Sequence, residues 1–455
     1  MADRSRYAVR ARDRGARVIE LTRASLRADL ADHVFAPPPG AAAAPRSIGV
    51  ETELIPVETA TGRRCSIESD DELAMLPFLR RFGSSRDWTE TRTPKGTPCF
   101  HLPCGGAFTF EPGGQIEYSS PPCPTPSALL DLLRSVIIPL RAASEDEGIT
   151  LLATGIDPAN PIECAPLLLG GKRYGRMAEY LARRGPFGAR MMRQTASFQM
   201  NLDFDDEPWL RWRVLNAAAP CVVAMFANSP VYEGRPTGWR STRSHVWREL
   251  DPSRTGLPYD PRRPLDAYLE FALDAPAMLM PAVNGEHRAF REWLGLAAPT
   301  LDEWRDHLST LFPEVRPRGH MELRSADAIP PEWYAAPLAL AVGITYDHSA
   351  LCDAVDLLGI PDLGTLQRAG RLGLGDPELA VTAVRLAEIA VAGCERLGPA
   401  YFHPSDLDQA RCFFEQFTRR GYAPADIGTA QVMRFTTEAQ RTRRMPQRRS
   451  LLFSS

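Results

Sequence analysis

Several features are missing from this 455-residue chain, and each absence closes off a class of function. No apolar run nears the ~20 residues that cross a bilayer. The first residues lack the apolar stretch of a secretory signal. A strong charge of either sign is also missing. The 53 Lys and Arg stand against 56 Asp and Glu, giving net −3 and a pI near 6.3, so nothing general favours nucleic acid or an anionic membrane. Nine cysteines are present, but their number is odd, their spacing irregular and no CxxC pair occurs. This argues against a zinc site or disulfide framework and fits a reducing cytoplasm. There is no GxxxxGK[ST] loop, GxGxxG fingerprint, Gly-x-Ser-x-Gly elbow or HExxH helix. The P-loop, dinucleotide, α/β-hydrolase and zincin routes are therefore not taken.

What is present is the composition of a soluble globular protein with a large core, 44% hydrophobic and 24% charged. Residues 1–45 read as a helix ("RVIELTRASLRADLADHVF") followed by a Pro- and Ala-rich linker. Six of the first seventeen residues are Arg, with Asp3 and Asp13 among them, which suits a solvated arm. Residues 46–435 read as one catalytic region, mainly helical from about 331, and residues 436–455 as a loose, Arg-rich tail. "PSALLDLLRSVIIPLRAASEDEG" is an amphipathic helix behind a Ser/Pro start signal. Cys99, Cys104 and Cys123 lie close together in sequence. Buried thiols are the plain reading of them and a regulatory disulfide the sharper one.

Four strand-like segments carry the chemistry. Side chains alternate between the two faces of a strand, so each face can be read directly. In "IGVETELIP" Glu51 and Glu53 share a face opposite Val50 and Leu54. In "GGQIEYSS" Gln115, Glu117 and Ser119 oppose Ile116 and Tyr118. In "ASFQMNLDF" Ser197, Gln199, Asn201 and Asp203 oppose Phe198, Met200, Leu202 and Phe204. In "GHMELRSADA" Glu322 and Arg324 oppose Met321 and Leu323. A sheet with one face in water would explain any one of these. Against that, the polar positions hold acids and amides with hardly a Lys, and the flanks are rich in Gly, Pro and aromatics.

Converging carboxylates repel one another and need cations or protons. If Glu51, Glu53, Glu111, Glu117 and Glu322 converge, a hard divalent cation such as Mg2+ is the natural partner, because it takes a few carboxylates and leaves other positions to water and phosphate oxygens. An acid-lined sheet face is thus a candidate Mg–nucleotide cradle. The Pro-Gly-Gly turn between Glu111 and Glu117 is expected to supply, at Gly113 and Gly114, a positive φ or a close backbone approach to a ligand. Phosphate also needs cations. "GWRSTRSHVWRELDPSRTG" offers Arg240, Arg243, Arg248 and Arg254, and Arg324 lies beside Glu322. His245 and His320 flank these residues and read as structural.

The motifs "GVETEL", "FEPGGQIEYSSPP", "KRYGRMAEYLARRGPFGARMMRQTASFQMNLDF", "ANSPVYEGRPTGWRSTRSHVWRELDPSRTG", "FALDAPAML" and "HMELRSADAIP" occur in the order seen in glutamate–cysteine ligase family 2. The chain resembles both its plant and proteobacterial branch and its actinobacterial, ergothioneine-pathway branch. The resemblance spans roughly residues 47–335, with "EYSSPP" in place of the commoner "ELSG". It implies an α+β fold, glutamine-synthetase-like, in which an antiparallel sheet cups the active site and helices pack behind it. It further implies Glu51, Glu53, Glu111, Glu117 and Glu322 as magnesium ligands, and Arg324 and Arg243 as catalytic residues. Gln199, Asn201, Arg254 and Trp247 would line the ATP and substrate site.

The implied activity is ATP-dependent joining of the glutamate γ-carboxylate to the amine of cysteine through a γ-glutamyl phosphate. The product would be γ-glutamylcysteine, for glutathione or ergothioneine synthesis. The expected setting is a cytoplasmic monomer or homodimer acting on small molecules, without nucleic acid or membrane. Three other readings stay open: a ligase of the same fold with another amine acceptor, a non-catalytic nucleotide- or amino-acid-binding homologue, and a phosphotransferase.

Overall fold

The four acid-bearing segments become neighbouring strands of one sheet. The structure is a computed structural model and describes residues 21–36, 46–69, 73–94, 96–204, 208–258, 260, 262–296, 298–360 and 362–427. Its strands are β1 (Ile48–Glu58), β2 (Thr89–Arg92), β3 (Pro98–His101), β4 (Ala107–Phe110), β5 (Ile116–Ser119), β6 (Ile149–Leu152), β7 (Ser197–Asp203), β8 (Val231–Tyr232), β9 (Arg235–Pro236), β10 (Val315–Pro317) and β11 (His320–Asp327). Nine form an antiparallel sheet in the order β10-β11-β7-β1-β5-β4-β3-β2, with β6 paired to the second half of β1; β8 and β9 form a separate hairpin. The central strands are thus segments from the start, middle and far end of the sheet-forming region. Such long-range pairing is stable only where each strand contributes an apolar face to a common core.

That face is continuous. Val50, Leu54, Ile116, Tyr118, Phe198, Met200, Leu202, Met321 and Leu323 are all buried in the main core. Behind them pack the helices Pro126–Asp146, Pro208–Met225 and Ala335–Tyr346. The first is started by Thr125, whose hydroxyl accepts from the Ala128 amide, with proline at the first helical position. Every residue of Ala335–Tyr346 is buried, as expected of a helix that is apolar all round and sits between layers. The helices Pro377–Leu397 and Pro404–Gln416 cover its far side. The α+β architecture expected from the sequence is the one found.

The polar face has a roof of its own. The helices Lys172–Ala182, Phe187–Gln194 and Thr242–Leu250 contribute to a second, smaller apolar cluster that includes Met177, Tyr180, Met192, Trp247 and Phe312. Tyr174 of the first helix faces Glu111 and Glu117, and Arg243 of the third faces Glu53, so the half-buried acids lie beneath these helices and are not spread on open surface.

The N-terminal helix begins at Arg23 and widens into a π-helical turn at Leu30–Val34. It docks through Phe35, whose ring meets Trp209, Trp212 and Tyr268, and through Arg23, which pairs with Glu270. Most of the expected linker before residue 46 and the expected tail at 436–455 lie outside the described residues. All nine cysteines are free thiols; Cys99 and Cys123 are buried and Cys104 is exposed. Among the described residues no helix is long and apolar enough to cross a membrane.

One polar contact crosses the main core directly behind the acids. Thr52, between Glu51 and Glu53, turns its hydroxyl inward to the Tyr334 hydroxyl at 3.1 Å, and the Tyr334 ring stacks on Phe198. Removing one partner leaves a buried hydroxyl unpaired, at about 1–3 kcal/mol, whereas replacing both with apolar groups of similar shape is nearly neutral. Tyr334→Phe is expected to destabilise the protein by about that amount, and adding Thr52→Val to recover most of it. Chemical denaturation of the two single variants and the double variant measures this, and simple additivity would refute the coupling.

Candidate active site

Strand register puts like charges in contact. Glu53 pairs directly with Glu117 across β1 and β5, Glu51 lies between Ser119 and Gln199, and Glu322 stands opposite Asn201. Directly opposed like charges destabilise a sheet unless something else meets them. Glu53 accepts from the Ser197 amide at 2.8 Å and the Gln199 side-chain amide at 3.1 Å, and Glu117 accepts from Ser119 at 3.1 Å. These contacts leave the charge poorly compensated. Burial, then Glu51, Glu111 and Glu53, push the Glu117 carboxyl well above the usual range. Burial, then Glu322, raise Glu51 against the pull of Arg316, Arg318 and Arg324. Burial raises Glu53 despite Arg243 and Arg324. Tyr174 of the roof helix faces this acid pole. Burial, then Glu111, drive its phenol up, so it stays neutral.

Beside the acids lies a basic pole. Glu322 is fully buried and accepts from Arg316 at 2.8–3.2 Å, from Arg318 at 3.1 Å and from Arg324. Arg324 also donates to the Gln199 side-chain oxygen Oε1 at 2.5 Å. The three guanidiniums hold Glu322 far below the usual carboxylate range, even against burial. Glu322 thus differs from the other acids: its charge is already met, and it joins a metal site only by giving up arginine contacts. Sequence reasoning missed Arg316 and Arg318. The available signal was the short hairpin "VRPRGHMEL", whose pairing puts Arg316 opposite Glu322.

A β-bulge in β11 sets the rest. Leu323 pairs with Met200 and Ala326 with Phe198, so Arg324 and Ser325 together oppose Gln199. The extra residue resets the alternation and brings Asp327 to the polar side, opposite Ser197. Strict alternation would have sent Asp327 to the core, which is why sequence reasoning missed it. Asp327 is buried and accepts from the Asn228 amide at 2.8 Å, Ser229 at 2.7 Å and Ser241 at 2.8 Å. Ser241 caps the helix Thr242–Leu250, whose second residue, Arg243, lies 4.0 Å from Asp327, over the Trp247 ring at 4.7 Å, and donates to the Arg324 carbonyl at 2.8 Å. Glu314 ties the bulge down, accepting from Ser325 at 2.7 Å and Arg248 at 2.7 Å while its carbonyl takes the Arg324 amide.

The four loop arginines therefore separate. Arg243 reaches the site. Arg240 pairs with Asp426, and Arg248 with Glu314. Arg254 is fully buried, bound to Asp251, Thr310 and the Pro276 carbonyl and set over Tyr180. It was expected to line the ATP and substrate site, but its polar reach is spent inside the protein on the turn after Asp251. His245 stacks on Trp239 at 4.1 Å and stays out of the cluster, while burial and the flanking arginines keep His320, at the start of β11, neutral. Asn201 lies on the polar face between Gly49 and Glu322.

The Pro-Gly-Gly turn closes by mutual bonds of Glu111 with Gly114 and Gln115. Gly114 has φ +84°, as expected of one of the two glycines. Gly113 makes the close approach, but to backbone rather than ligand: a Cβ there would stand 2.2 Å from the Arg193 carbonyl oxygen. Gln115 is buried, its amide bound to the Thr195 carbonyl. A Cβ on Gly114 would crowd only the end of the Leu168 side chain, which can move, while Ile67 and the Cys65 carbonyl stay at ordinary contact; the left-handed backbone adds ~1–2 kcal/mol. Gly113→Ala is accordingly expected to lower thermal stability more than Gly114→Ala, because the Arg193 backbone cannot yield. Calorimetry on both variants tests this, and equal losses would show that φ alone controls the turn.

Comparison with known proteins follows the same outline. The model of glutamate–cysteine ligase family 2 matches residues 47–429. The chloroplastic glutamate–cysteine ligase of Brassica juncea is 36% identical over 68% of this chain and 62% of its own. The glutamate–cysteine ligase EgtA of Mycolicibacterium smegmatis is 34% identical over 71% of this chain and 78% of its own. The chain spans about three-fifths of the length of the plant relatives it matches. Among solved structures, a glutamate–cysteine ligase of Francisella tularensis in complex with AMP superposes with a TM-score of 0.50 at 12% identity, over 89% of this chain and 90% of that one, a likeness of fold. On the family match across most of its length, this chain belongs to glutamate–cysteine ligase family 2.

Proposed function

We propose that this protein uses ATP to join the γ-carboxylate of glutamate to the amine of cysteine. The observation that carries the reading is the division of one roofed sheet face into an acid pole and a basic pole. A carboxylate does not acylate an amine at neutral pH because its oxygen is a poor leaving group. Transfer of the ATP γ-phosphoryl group to that oxygen makes phosphate the leaving group, and the amine then displaces it. Such a reaction needs positioning and charge neutralisation more than covalent help from the protein.

In this reading Arg324 and Arg243 face the phosphoryl group and the glutamate, with Gln199 holding Arg324 in place. Trp247 supports the Arg243 guanidinium from below. The roof helices keep water from the acyl phosphate, which would otherwise hydrolyse.

The acid pole suits a hard divalent cation such as Mg2+. Its donors are carboxylate oxygens, and three of those carboxyls are raised, first by burial and, for Glu51 and Glu117, by neighbouring acids, with the nearby arginines and hydrogen bonds too weak to reverse it. Among the described residues no three His, Cys, Asp or Glu side chains already stand as a metal site, so an ion would have to draw these carboxylates together, with water and phosphate oxygens completing its shell. Glu51, Glu53, Glu117 and Glu111 would hold the ion, with Glu322 at the boundary of the basic pole. When bound, it would neutralise charge on the phosphates. Nine free thiols support a reducing, cytoplasmic setting.

The direct test is incubation of the purified protein with Mg–ATP, glutamate and one amino acid at a time, following ADP release and product mass. A product of glutamate plus cysteine, formed with stoichiometric ADP, is expected. Condensation with a different amine would overturn the acceptor, and ADP release without a condensed product would overturn the ligase.

A second expectation concerns the metal pole. Glu117→Gln should reduce ligation by more than about 100-fold while leaving metal-free thermal stability equal or higher. The sign follows from the raised carboxyl. Its stability contribution is complete below the unfolded pKa and is lost as pH rises through the folded value. The advantage of the Gln variant should therefore grow from pH 5 to pH 8. Melting curves without metal measure it; a variant less stable at pH 8 than the parent would refute the uncompensated charge.

A further inference from the structure

We propose that Arg316 and Arg318, together with Arg324, form a binding site for a polyphosphate chain, and that Glu322 holds this site assembled in the absence of the anion. The inference rests on the ATP-dependent reading above and adds to it two residues to which the sequence assigned no role.

The hydrogen-bond count points the same way. One fully buried carboxylate takes hydrogen bonds from three guanidiniums, while Glu51 and Glu53 act on them only through space, so it is N–H donors rather than net charge that are in excess here. Three guanidiniums offer more N–H donors than one carboxylate can accept. The shortfall is visible: Arg324 is only 9% exposed, yet its Nε has no hydrogen-bond partner among the described residues. A buried, unpaired donor on a cation marks a place where an acceptor belongs. Arg318 supplies the way in. Its side chain is 51% exposed, and it gives Nη1 to Glu322 from the rim of the site. Arg173 of the roof helix adds positive potential near Arg318.

The shared chemistry is an oxyanion that accepts paired N–H bonds from guanidinium forks. Two sources could provide it here: the polyphosphate of a nucleotide or a carboxylate of glutamate. The polyphosphate is favoured because a single carboxylate, that of Glu322, already fails to satisfy the three arginines. Successive phosphoryl groups carry more acceptor oxygens and can run from buried Arg324 past Arg316 to exposed Arg318.

The test is isothermal titration of the intact protein in EDTA with inorganic tripolyphosphate, with ADP and, separately, with L-glutamate. Arg318→Ala removes a rim residue, and circular dichroism checks its fold. It is expected to weaken tripolyphosphate and ADP at least about 10-fold with glutamate affinity unchanged. Arg316→Lys keeps the buried charge but loses the fork, and should weaken the same two ligands. Unchanged tripolyphosphate affinity in both variants would overturn the proposal, as would a loss confined to glutamate. Because binding is read without turnover, the outcome is separable from the ligase reading: a protein that binds tripolyphosphate through Arg318 but makes no condensed product keeps this site and loses that function.

Discussion

A pair of glutamates held directly opposite one another, Glu53 on β1 and Glu117 on β5, is the constraint around which the molecule is arranged. Sheet register forces the contact, and the register itself is held from the other side. A one-residue slip would turn Val50 and Leu54 toward the acids and Glu51 and Glu53 into the core. Each fully buried apolar side chain behind the sheet contributes about 1.5–3 kcal/mol. Val50, Leu54, Ile116, Phe198 and Met200 together outweigh the repulsion on the polar face. The hydrophobic layer therefore keeps in place an electrostatic arrangement that would not persist alone. Local disfavour of this kind is what a site for a charged ligand requires, since the ligand relieves it on arrival.

The segregation of charge follows from the same geometry. The acids on β1 and β5 lie toward the middle of the sheet, and the arginines enter from its β10–β11 edge. Glu322 is the boundary residue, an acid that has taken the arginines' side. The bulge in β11 lets one strand present both Arg324 and Asp327 to the polar side, and Asp327, through Ser229 and Ser241, fixes the start of the helix that carries Arg243. Arg243 is held from three directions: by the Asp327 charge, the Trp247 ring and the Arg324 carbonyl. A group so constrained loses little entropy when it meets a ligand.

Strand periodicity, the most local of signals, determined a good deal by itself. Alternation in four segments was enough to place Glu51, Glu53, Glu117, Glu322, Gln199 and Asn201 on polar faces, because side-chain direction in a strand depends on the residue's own backbone. The apolar partners Val50, Leu54, Ile116, Phe198 and Met321 were legible for the same reason, and so was the helical layer behind them. Motif order along the chain was enough to identify the family. What remained illegible depends on residues far apart in sequence. Register decided that Glu53 meets Glu117 rather than Ser119. A bulge, which breaks the periodicity that alternation relies on, decided where Asp327 points. Packing decided that of four arginines in one loop Arg243 reaches the site while Arg254 is enclosed, since a guanidinium's reach is long and its partners come from other elements. Pairing of β10 with β11 decided that Arg316 meets Glu322. Sequence determined which chemistry each face could hold, and only the tertiary structure decided which charges stand within reach of one another, because Coulomb interaction depends on distance in space and not along the chain.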